Sequence, residues 1–182
     1  INCYIINMIK KLSIILIAFF IFLFLANTSF ASTLYLSPGS ANIPQGSIVS
    51  VQVRLNAGGE SINGISAYLS YPADKLEVSS LSFGSSFSIA AEGSYGGGGI
   101  RISRGSISGV TGDVNVATIR FKGKSQGVGT VSFIGGSGAP RTSDSSDSLN
   151  LGGSRGGTFT VGSPSSTSTS TSTSSPKVSP TP

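Results

Sequence analysis

Seven carboxylates and no histidine are the first facts about this chain that bear on chemistry. Without imidazole there is no Ser-His or Cys-His nucleophile pair and no histidine-based zinc site. Glu60, Asp74, Glu77, Glu92 and Asp113 stand at turns or strand ends of different segments. No spacing among them sets two acids at the ~5–9 Å that glycoside hydrolysis requires. Asp144 and Asp147, within Thr142-Ser143-Asp144-Ser145-Ser146-Asp147-Ser148, are weak calcium candidates, and solvated loop acids explain them better. Gly123-Lys124-Ser125 ends like a phosphate-binding loop, yet the first glycine of that motif falls on Thr118, inside a strand pattern. Gly152-Gly153-Ser154-Arg155-Gly156 has the spelling of a nucleophile elbow, with no histidine to activate Ser154 and no helix after it. These residues point to binding rather than catalysis: no enzyme activity and no cofactor are expected.

The elements that must carry any binding surface are set by composition. Of 182 residues only 10% are charged, against the ~25% of an ordinary domain, while 25 are glycine and Ser and Thr abound. The net charge of +5 is 12 minus 7, and two of the cations, Lys10 and Lys11, lie in a leader-like segment. Arg120, Lys122 and Lys124 form one stripe along a strand rather than a clustered basic face, so nucleic acid is not an expected partner.

Residues 12–26 are apolar apart from Ser13, follow Lys10 and Lys11, and precede Ser29-Phe30-Ala31. A run of that length is short of the ~20 residues that span a bilayer, and the basic flank with small residues before a cut after Ala31 fits a secretory signal peptide over residues 1–31. The alternative is an uncleaved anchor. Met8 reads as the natural start, which leaves Cys3 outside the protein and the exported chain without a thiol. Residues 163–182 are almost all Ser, Thr and Pro, with no apolar face to offset ordering entropy. They read as a disordered linker to a missing downstream segment, such as an anchor or a further domain. An extracellular or cell-surface location follows, with membrane contact only through the signal segment or a C-terminal anchor.

Between these ends, residues 32–162 have period two. In Ile48-Val49-Ser50-Val51-Gln52-Val53-Arg54-Leu55 the valines alternate with Ser50, Gln52 and Arg54, one face core and one face wet. The same reading predicts strands at 34–36, 64–71, 76–83, 87–91, 100–103, 114–122, 128–134 and 158–161. Nine short strands punctuated by Gly, Pro, Asn and Ser predict an all-β, antiparallel two-sheet sandwich with no long helix.

One constellation is more specific. Ile62-Asn63-Gly64-Ile65-Ser66-Ala67-Tyr68-Leu69-Ser70-Tyr71-Pro72-Ala73-Asp74-Lys75-Leu76-Glu77-Val78 resembles the cohesin signature: a glycine-led strand ending in Tyr, a turn with Pro and Asp, then Leu-Glu-Val. Residues 33–53 resemble the opening of that family, and Val116-Ala117-Thr118-Ile119-Arg120-Phe121-Lys122 followed by 127–133 resembles its late strand pair. The resemblance implies a nine-strand jelly-roll sandwich and a non-catalytic module that binds the calcium-loaded dockerin of a partner, often a polysaccharide-degrading enzyme. The same sandwich is shared with carbohydrate-binding modules, so a glycan ligand is the alternative, and a structural or adhesive surface domain the third. The chain departs from the family at two places. Gly64 and Ser66 stand where dockerin binders often carry Asn and Asp, and Pro72-Ala73-Asp74 rearranges the usual Asp-Pro turn.

With Ile65, Ala67, Leu69 and Tyr71 inward, alternation turns Gly64, Ser66, Tyr68 and Ser70 outward. Tyr68 then reads as an exposed aromatic at mid-face, either a binding anchor or a cover for its cross-strand neighbours. Arg101 and Ser103, and Thr130 and Ser132, join it from the strands that neighbour it in the family. Nothing in the sequence asks for an oligomer, and a monomer is expected.

Overall fold

The computed structural model describes residues 31–163 and Leu12, so the expected signal peptide and linker lie outside the described residues. Ten strands follow in chain order: β1 (Thr33–Ser37), β2 (Ser40–Pro44), β3 (Ile48–Asn56), β4 (Ile62–Ser70), β5 (Leu76–Phe83), β6 (Ile89–Gly96), β7 (Gly99–Val110), β8 (Asp113–Gly123), β9 (Gly127–Phe133) and β10 (Gly157–Gly162). They form two sheets, β1-β3-β8-β5 and β2-β10-β9-β4-β7-β6. The all-β sandwich is as the alternation predicts. The single helical element within residues 31–163 is a short 3-10 turn, Leu151–Gly153.

The strand count and one pairing differ from expectation. β2 was not predicted, because Ser-Ala-Asn-Ile-Pro buries only Ile43 and carries a proline. It pairs in parallel with β10, from Ser40 opposite Thr158 to Pro44 opposite Gly162, so the sandwich is not wholly antiparallel. Two other strands lie elsewhere than predicted: β6 begins after the buried Phe87 and runs to Gly96, and β7 runs on past Ser103 to Val110.

β3 shows why the pattern was readable: Val51, Val53 and Leu55 are buried, and Ser50, Gln52 and Arg54 face out. β8 breaks the alternation, with Val116 and Ala117 both buried. The ladder explains it. Val53 lies opposite Ala117 and Arg54 opposite Asn115, so Val116 is the extra residue of a β-bulge that turns two successive side chains inward. At the centre, the rings of Tyr71, Phe121 and Phe159 stack edge to face and tilted, with centroids 5.7 and 5.8 Å apart, joining the two sheets.

The edge of β1 is covered. The Ser32 amide donates to the Ser148 carbonyl at 3.0 Å, Asn150 to Ser32 at 2.8 Å and Arg155 to Leu34 at 2.8 Å, while Leu36 donates to Arg155 at 3.0 Å. Residues 148–155 thereby occupy backbone groups that would otherwise be open to another strand.

Candidate functional site

The six-stranded sheet presents its outward face through β6, β7, β4, β9 and β10. Two rungs of the ladder assemble most of the expected site. Tyr68 of β4 lies opposite Arg101 of β7, which lies opposite Ser94 of β6; one rung on, Ser66 lies opposite Ser103, which lies opposite Glu92. The Arg101 guanidinium sits 5.0 Å from the Tyr68 ring centroid, a cation–π pair. The Ser66 and Ser103 hydroxyls bond at 3.1 Å, and the Tyr68 hydroxyl makes long contacts of 3.4 Å with both Ser103 Oγ and Glu92 Oε2.

Tyr68 is half-buried rather than the exposed aromatic expected at mid-face. Its cover comes from a loop that alternation does not see. After β9 the chain makes a turn at 134–137 and then rejoins β4, with Gly138 and Ser66 exchanging backbone bonds at 2.8 and 2.9 Å. The Ser137 hydroxyl accepts from the Tyr68 amide at 3.0 Å and donates to the Ile134 carbonyl at 2.8 Å, which fixes the turn. Gly136 has φ of +91°, and a Cβ there would stand 2.8 Å from the Tyr68 ring, so only glycine lets the loop lie against it.

The other expected residues lie further along the same face. Ser70 is opposite Ser132, and Thr130 is opposite Thr158 of β10, beyond the end of β4. The patch is small hydroxyls around Tyr68 with one Arg and one Glu, and a shallow hollow of about 330 Å³ lies at its end between Ser94, Tyr95, Gly96, Gly99 and Arg101. Sequence reasoning missed Glu92, Ser137 and Gly136. A bulge between Ala90 and Glu92 shifts the face of β6, and a turn places the other two.

Asp144 and Asp147 share a loop, and both carboxylates are occupied by it. Asp147 Oδ1 accepts from the amides of Ala139 at 2.7 Å and Leu149 at 2.9 Å; Asp144 Oδ1 accepts from the Ser146 amide at 3.0 Å and hydroxyl at 2.8 Å. The Ser146 bonds hold the Asp144 carboxyl below its ordinary value. No group of three or more His, Cys, Asp or Glu suited to a metal occurs among the described residues.

A second polar cluster stands on the outward face of the four-stranded sheet. Tyr35 donates its hydroxyl hydrogen to Asp113, Arg54 Nε donates to that hydroxyl at 2.9 Å, and the Arg54 fork pairs with Asp113 Oδ1 at 3.0 Å. The bond to Asp113, with burial behind it, raises the Tyr35 pKa above 10.0.

Among the described residues, no helix is long and apolar enough to cross a membrane. The fold is similar to that of several solved cohesins. A non-cellulosomal cohesin from the archaeon Archaeoglobus fulgidus matches at 23% identity and a TM-score of 0.60, over 73% of this chain and 92% of that one. The sixth cohesin of scaffoldin B from Acetivibrio cellulolyticus, solved in complex with a dockerin, matches at 19% identity and a TM-score of 0.61, over 72% and 99%. A type I cohesin–dockerin complex from Clostridium thermocellum matches at 15% identity and a TM-score of 0.62, over 76% and 98%. No curated protein sequence matches the chain. The cohesin domain family itself matches residues 34–150, most of the sandwich and more than half of the sequence, and on that match this chain belongs to the cohesin domain family, whose members are non-catalytic binding modules.

Proposed function

We propose that the chain is an exported docking module that binds a dockerin-bearing protein, the calcium being carried by the partner, and so assembles polysaccharide-degrading or cell-surface complexes. The observation that carries this reading is the family match together with the outward face of β4 and β7. There Ser66, Tyr68, Arg101 and Ser103 form one continuous patch of hydrogen-bonding groups around an aromatic anchor. Cohesins of similar fold have been solved with dockerins bound, which supports the same class of partner. Lys10 and Lys11 ahead of the apolar run support export, and the Ser/Thr/Pro segment 163–182 supports tethering to a further element.

A broad face of short hydroxyls suits a protein surface better than a small molecule, because it offers many donors and acceptors spread over several strands. Tyr68, held by Arg101 and Gly136, presents a fixed ring, so little side-chain entropy is lost on binding. Calorimetry of the full chain against dockerins from the same genome, with calcium and with chelator, tests this. Calcium-dependent binding is expected, weakened on the order of thirtyfold by Tyr68→Ala. Absence of any dockerin partner, with retention on insoluble polysaccharide, would overturn it.

A further inference from the structure

A groove of about 630 Å³ runs along the edge of β1, where Gly39 and Gly156 at the starts of β2 and β10 also border it. Thr33, Tyr35, Asn56, Asp113, Gly153 and Arg155 line it. Arg155 belongs to the glycine-flanked Gly-Gly-Ser-Arg-Gly motif that has no catalytic use, and the structure gives that motif a purpose. Ser154 Oγ accepts from the Leu34 amide at 3.0 Å and donates to the Asn150 carbonyl at 3.0 Å. This hook bridges Arg155 to Tyr35 in parallel register, so that an exposed guanidinium stands next to the tyrosine.

The hydrogen-bonding capacity of the groove is lopsided. Asp113 is consumed: Oδ1 takes the Arg54 fork, Oδ2 takes the Tyr35 hydroxyl, and its charge is neutralised by Arg54 at 3.0 Å. The Asn56 carbonyl oxygen accepts from the Gly58 amide at 2.9 Å, which leaves its NH2 to donate. Among the described residues the Arg155 side chain has no hydrogen-bond or carboxylate partner within bonding distance. What remains is a surplus of donors and one uncompensated positive charge, around a half-buried tyrosine.

We propose that this groove binds a carboxylate-bearing saccharide, a uronate, with Arg155 taking the carboxylate in its fork and Tyr35 lying against a ring face. The volume suits one or two sugar rings. A guanidinium matches a carboxylate with two parallel bonds, and Asn56 and Thr33 supply partners for ring hydroxyls. The groove shares no residue with the Ser66, Tyr68, Arg101 and Ser103 patch, so the two sites can be tested separately.

Calorimetry of the full chain with digalacturonate, and with galactobiose as its neutral counterpart, decides it. Digalacturonate is expected to bind at least tenfold more tightly than galactobiose. Arg155→Gln lowers that affinity about tenfold, Arg155→Lys to an intermediate extent, and Arg101→Gln on the docking face leaves it unchanged. Arg155 joins its neighbours through backbone atoms, so the variants keep the fold. No digalacturonate binding, equal affinity for galactobiose, or full affinity in Arg155→Gln overturns the proposal. Equal affinity for a hexaglutamate peptide also overturns it, by showing that the site reads carboxylates without reading sugar.

Discussion

The outward faces of the two sheets rest on one core and are built by the same alternation, yet they use their side chains differently. On β1, β3 and β8 three outward residues satisfy one another: Arg54 holds both Asp113 and Tyr35. On β4, β7 and β9 the outward residues are Ser66, Ser70, Ser103, Thr130 and Ser132, too short to reach beyond the adjacent rung. A long side chain spends its charge within its own face. A short hydroxyl leaves hydrogen-bonding capacity to whatever docks, and that difference separates the closed Tyr35–Arg54–Asp113 cluster from the open patch on β4 and β7. Arg101 is the exception that helps, since its stem reaches Tyr68 and fixes an aromatic in a hydroxyl field.

Variants can test how independent the faces are. Phe121→Ala removes the ring that touches both Tyr71 and Phe159, so it strikes both faces at once; chemical denaturation should show a loss of about 3–5 kcal/mol. Gly136→Ala acts on one face alone. The positive φ and the collision with Tyr68 are expected to cost about 1–2 kcal/mol and to weaken dockerin binding, while digalacturonate binding stays intact. If docking is unaffected, the loop does not position Tyr68 for a partner. Arg54→Met touches only the other face. Its ion pair is partly exposed, so the loss in denaturant unfolding is at most about 1 kcal/mol, with docking unchanged.

The smallest effect is a pH dependence. The Tyr35 hydroxyl has its pKa raised in the folded state, first by its bond to Asp113, then by burial. A raised folded value gives stability that is complete below the unfolded value of 10.0 and is lost as pH rises through the folded one. The stability difference between wild type and Tyr35→Phe should therefore narrow in alkaline titrations above pH 10 or so. Tyr71, raised chiefly by its own burial, remains in both proteins and does not contribute to the difference.

The sequence made the sandwich legible wherever a strand buries one face and wets the other, as β3 and β4 do. It hid β2, whose single buried Ile43 makes no alternation and whose parallel pairing with β10 joins segments far apart in the chain. The candidate site was legible to the same extent. Ser66, Tyr68, Arg101 and Ser103 follow from period two along β4 and β7, and they meet as expected. Glu92 reaches the face only because a bulge resets the register of β6, and Gly136 covers Tyr68 only because a turn with positive φ carries the chain back to β4. Such irregularities cost one residue or one dihedral, and they leave no periodic trace.

The parallel pairing of β2 with β10 bears on how the domain carries load. Both strands run the same way, so a pull that reaches Ser40 from the β1 side and acts beyond Gly162 drives β2 backwards and β10 forwards along their common ladder. The bonds from Ser40 to Pro44 are then strained together in shear instead of being opened singly from one end. Ile43 and Val161, both buried, must leave the core in the same event. A domain with strands paired in this way resists extension through its rate of forced unfolding rather than its equilibrium stability.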